Sequence, residues 1–134
     1  MKIVKGILAV VAGIVVGSLV NFGILMLSNA VFGLPDGMNL FDAESVKANA
    51  HKLTMANFAG TLLAHQFGTF VGAFVAAKIA PSAKMIFAIA IGAWFLLGGI
   101  YAATLIPAPL WFVVVDLALY IPVAFLAGKI GGRQ

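Results

Sequence analysis

The sequence predicts an all-α membrane protein, an antiparallel four-helix transmembrane bundle with a short extra helix in the first outer loop, and three observations predict it. Hydrophobic residues make up 63% of the chain and charged residues only 9%, where soluble domains carry roughly 45–50% and about 25%; the mean hydropathy is +1.15. The apolar residues fall into four runs of about twenty, the length a helix needs to cross hydrocarbon with its backbone groups satisfied internally. Lys and Arg stand at the ends of those runs. The 134 residues therefore form a single transmembrane domain, with spans at about 6–28, 56–77, 85–106 and 110–128 and an outer loop at about 33–54.

The first span carries Gly6, Gly13, Gly17, Asn21 and Ser28 along one helical face, with Val, Leu and Ile over most of the rest. Gly13-x-x-x-Gly17 is a close-approach motif, since two backbones without side chains between them gain dispersion contacts that replace the missing hydrophobic drive. Met1 to Lys5 before an apolar run and the small-x-small Ser28-Asn29-Ala30 look like a secretory leader. A leader's apolar region is about 7 to 15 residues, however, and this run continues past twenty, so it reads as an uncleaved membrane anchor.

Residues 33–54 are the main polar segment. Pro35-Asp36-Gly37 is turn chemistry. A short helix follows, with Asn39 or Asp42 as cap, Glu44 in its first turn and Val46, Ala50 and Leu53 at helical spacing; it is expected to lie at the interface and run into the second span.

The second span holds His65 and Gln66 at its centre. Thr61, Thr69, Gly68, Gly72 and Ala76 all fall within about 60° of His65 on a helix, so one face is small and polar and must pack against protein. Ala80-Pro81-Ser82-Ala83 makes a short turn, and the third span presents Ala88, Gly92, Gly99 and Ala103 as its small face. Pro107-Ala-Pro109 is a tight turn, with Trp111 just beyond it at interface depth. The fourth span contains Asp116, the most costly residue in the chain. An ionised carboxylate at a helix centre costs about 2.5–3.5 kcal/mol on insertion scales, so Asp116 should be protonated, paired or facing water. Pro122 removes a backbone donor one turn and a half further on and predicts a kink.

The ends of the second and fourth spans, Ala73-Phe-Val-Ala-Ala-Lys-Ile79 and Ala124-Phe-Leu-Ala-Gly-Lys-Ile130, share five of seven residues at an interval of 51. The same interval sets His65 opposite Asp116, as a duplicated hairpin would, although the first and third spans match poorly. At ~1.5 Å per residue, His65 lies near mid-membrane, with Asp116 and Asn21 within about 6 Å of its depth. The candidate intramembrane polar cluster is accordingly His65 and Asp116 as a hydrogen-bonded pair, with Asn21, Gln66, Tyr101 and Tyr120 as secondary partners. The candidate helix-packing residues are Gly13, Gly17, Gly68, Gly72, Gly92 and Gly99.

The net charge of +4 does not point to nucleic acid, because the cations flank helix ends. Lys2, Lys5, Lys78, Lys84, Lys129 and Arg133 would all be cytoplasmic, with both termini, while the first loop sets Asp36, Asp42 and Glu44 against Lys47 and Lys52. The absence of Cys excludes disulfides and thiolate chemistry. One His and one Asp supply neither a nucleophile nor a metal triad, and His51 is in the outer loop, so no catalytic residue, metal or cofactor is expected.

The fourth span with its approach, Pro109 to Ile130, together with the His65 to Lys78 helix, resembles a group of small bacterial inner-membrane proteins with four spans and no assigned activity. The resemblance implies a multi-pass protein of the bacterial inner membrane. It offers no catalytic motif, and the first span lacks the acidic residue that small multidrug exporters use. The expected role is that of a small accessory, assembly or structural membrane component, in contact with the lipid bilayer and with itself or a larger complex; the alternative is a proton-linked small transporter or channel built on the His65 and Asp116 pair. A dry pair among apolar neighbours favours the first, and a water-accessible cavity ending at the pair favours the second.

Overall fold

A computed structural model describes residues 1–133. The chain forms α1 (Lys2–Phe32), α2 (Ala43–Asn49), a 3-10 turn over Ala50–Lys52, α3 (Met55–Ile79), α4 (Lys84–Leu105) and α5 (Leu110–Gly131), and the described residues contain no strand. Four of these helices, α1, α3, α4 and α5, are long and apolar enough to cross a bilayer.

The helix ends follow from local chemistry. Gly33 stops α1 at φ 78° while its N–H bonds back to the Asn29 carbonyl, a backbone conformation that costs a side-chain-bearing residue more than glycine. Met38 N–H donates to the Pro35 carbonyl at 3.1 Å, and Gly37 at φ 82° takes the third turn position that needs glycine. Asp42, not Asn39, caps α2, its carboxylate accepting from Glu44 N–H at 3.0 Å. The Asn39 side chain accepts from Phe41 N–H instead. Here the structure differs from expectation in one respect: the loop helix does not run into the second span. Leu53 and Thr54 are extended, because Thr54 opens α3 with a capping box in which its hydroxyl accepts from Asn57 N–H and the Asn57 side chain accepts from Thr54 N–H. Asn57 Nδ2 also donates to the Gly33 carbonyl at 2.9 Å, which ties the start of α3 to the end of α1.

α3 is the hub. It packs against α1, α4 and α5, while α4 also packs on α5 and touches α1 lightly. The core is built of small residues: Ala73, Ala76, Ala77, Ala88, Ala124 and Ala127 are fully buried, and Ile91 is the one large aliphatic that joins them. Leu8, Val15, Leu19, Leu63, Phe67, Trp94, Leu97 and Leu126 instead point outward. A bilayer rewards that inversion, since tails outside are as apolar as Leu and only close backbone approach separates packed from unpacked helices.

Between α1 and α3, backbone meets backbone. A Cβ on Gly13 would stand 2.8 Å from the Gly72 carbonyl oxygen, and one on Gly17 would stand 2.7 Å from that of Gly68. Between α4 and α5, a Cβ on Gly92 would meet the Ala124 methyl at 2.5 Å and one on Gly99 the Tyr120 ring at 2.8 Å. The two hairpins do not seat on matching rows. α1 lies on Gly68 and Gly72 and α4 on Tyr120 and Ala124, an interval of 52, whereas the shared sequence aligns at 51.

Candidate functional site

α3 and α5 run side by side in the same direction, which brings the centres of the second and fourth spans to one level. His65 Nδ1 lies 3.0 Å from both carboxylate oxygens of Asp116. Gln66 Nε2 donates to Asp116 Oδ1 at 3.1 Å and to the Asp116 carbonyl at 3.2 Å. One turn along α5, the Tyr120 hydroxyl donates to Asp116 Oδ2 at 3.3 Å. Three side-chain groups thus converge on the buried Asp116 carboxyl group. Where Asp116 accepts, Nδ1 carries the proton, and in the neutral imidazole Nε2 keeps its lone pair.

The His65 residue is held from two further directions. Its backbone carbonyl accepts from the fully buried Thr69 hydroxyl at 2.8 Å. Its ring stacks over Tyr120 at 6.1 Å between centroids and lies 6.4 Å from Phe112. The side chain of His65 remains 20% exposed against 4% for Asp116, so the imidazole is the accessible half of the pair.

Both residues line a cavity of about 180 Å³. His65 and Asp116 form its floor. Phe58, Thr61, Phe112 and Leu117 line its walls, Ala102, Ala103 and Ile106 of α4 close one side, and Leu34, Met38, Leu40 and Val46 of the first loop roof it. The wall is overwhelmingly apolar. On the side of the pair away from the loop, the interior is closed by the alanine core around Ala73, Ala88 and Ala124.

Of the six residues expected to cluster, the structure brings His65, Asp116, Gln66 and Tyr120 together and leaves two outside. Asn21 packs against Gly68 between α1 and α3, and its Oδ1 is buried without a partner. Tyr101 points away from the bundle at 67% exposed. It follows Gly99 by two positions, about 200° around a helix, so the rotation of α4 that faces Gly99 onto Tyr120 turns Tyr101 toward lipid. The expected packing glycines all lie at helix contacts. Sequence reasoning missed Asn29, whose Nδ2 is buried without a partner in the cavity wall, and Asn57, whose Thr54-x-x-Asn57 spacing is a readable capping signal. Among the described residues no three His, Cys, Asp or Glu side chains converge as metal ligands would.

No family model, curated protein or solved structure matches the chain.

Proposed function

We propose that this small membrane protein is a proton-linked transporter or channel for a small solute, with His65 and Asp116 as its working pair. One observation carries the reading: the cavity beneath the first loop ends on that pair. A solute entering there meets the imidazole, whose Nε2 lone pair can take a proton while Asp116, 3.0 Å from Nδ1, balances the charge that forms. Movement past the alanine core requires the helices to shift against the α3 hub.

The accessory or structural role has its own support, because Asp116 is hydrogen-bonded on every side and such a network fixes the register of α3 against α5. Reconstitution separates the two. Proteoliposomes with an internal pH dye should show proton uptake on addition of a short alcohol or phenol as trial solute, and Asp116→Asn at equal incorporation should not. Equal rates from both, with a lowered Tm for the variant, would favour the structural role.

The cationic helix ends support a cytoplasmic placement of both termini and of the Pro81 turn, with the cavity roof on the opposite face. The resemblance carried by the fourth span and the His65 to Lys78 helix supports a bacterial inner membrane as its location. Self-association or membership of a larger membrane complex belongs to the same reading.

A further inference from the structure

We infer that the cavity is a binding site for a small aromatic alcohol, a single ring whose hydroxyl donates a hydrogen bond to His65 Nε2; this rests on the cavity being a ligand site, as above, but not on transport. The size sets the first limit. An apolar cavity of about 150 Å³ holds one benzene, so 180 Å³ holds one ring with a small substituent. The walls set the second. Phe58 and Phe112 lie with centroids 5.1 Å apart and planes tilted by 50°, and with Val113, Leu117 and Ile106 they offer ring faces and edges to an aromatic body.

The polar end sets the third. His65 Nδ1 is engaged by Asp116, and Nε2 of the same ring makes no hydrogen bond among the described residues, although the side chain is partly exposed and lines the cavity. In the neutral imidazole whose Nδ1–H donates to Asp116, Nε2 is an acceptor and calls for a donor on the ligand. A hydroxyl meets that need, and an ether of the same shape does not.

The test is equilibrium dialysis of labelled phenol, anisole and benzene against the full chain in lipid nanodiscs, with empty nanodiscs subtracting partition into lipid. Phenol should bind saturably at one site per chain and about tenfold more tightly than anisole, the difference one hydrogen bond makes. His65→Phe should lower phenol to the anisole level. Ala103→Phe, which fills the cavity from α4 without touching the polar network, should abolish binding of all three, so the inference stays open to refutation even where His65→Phe does not fold. Equal affinities for phenol and anisole, or no saturable phenol binding, would overturn it. Phenol selectivity without proton uptake in proteoliposomes would remove the transport reading and leave the ligand assignment standing; proton uptake with another solute and no phenol selectivity would do the reverse.

Discussion

Asp116 decides the character of the site, and its surroundings predict how substitutions divide. Asp116→Leu removes the acceptor from three donors and leaves them facing apolar neighbours, at about 1–3 kcal/mol for each buried group that finds no other partner. Unfolding in mixed micelles should show a loss of about 2 kcal/mol or more. Tyr120→Phe deletes only the longest of those bonds, at 3.3 Å, and should cost less than about 1 kcal/mol in the same titration, since intramembrane hydrogen bonds average about 0.6 kcal/mol. A larger loss from Tyr120→Phe than from Asp116→Leu would show that the carboxylate is not the centre of the network. His65 and Asp116 were legible in the sequence because ionisable groups stand out in apolar runs. Gln66 and Tyr120 joined them by depth and face. Tyr101 was grouped with them by depth alone, whereas its place about 200° around the helix from Gly99 sets it on the opposite face.

At the scale of the helix, the small-residue seams govern stability. Gly68→Val and Gly13→Val would drive a side chain into the facing backbone, where a Cβ alone already falls 2.7 and 2.8 Å from a carbonyl oxygen. Each should cost about 1–3 kcal/mol, the range for overpacking, with separation of α1 from α3 visible as new accessibility of cysteines introduced along the seam of an otherwise Cys-free chain. Gly23→Ala and Gly98→Ala, with nothing within 4 Å of the added Cβ, should stay within about 0.5 kcal/mol and serve as controls. Asn57→Ala should loosen the start of α3 by about 1 kcal/mol, because it removes half of the capping box and the tie to Gly33. The break at Leu53–Thr54 shows how a local cap overrides a continuing apolar period: a Thr hydroxyl placed to satisfy Asn57 N–H favours ending one helix and beginning another.

For the whole molecule, four crossing helices require both termini and the Pro81 turn on one side and the 33–54 loop and the Pro107–Pro109 turn on the other. Reporter fusions at Lys2, Ser82, Asp42 and Ala108 should divide in that way, and the cationic residues predict the first pair in the cytoplasm. A cytoplasmic signal from Asp42 would invert the molecule and place the cavity mouth on the inner face.

By itself the sequence determined that the chain is helical and apolar enough to cross a bilayer four times, where each run begins and ends to within a few residues, and six of the glycines at the seams, though not Gly60, Gly128 or Gly131. Those properties depend on composition and on periodicity along one helix. Only the tertiary structure decided that α3 is the hub, that α1 and α4 seat on different rows of their partners, and that a cavity lies above His65 and Asp116. A cavity is the volume left where several segments fail to meet, and no single segment's pattern records it.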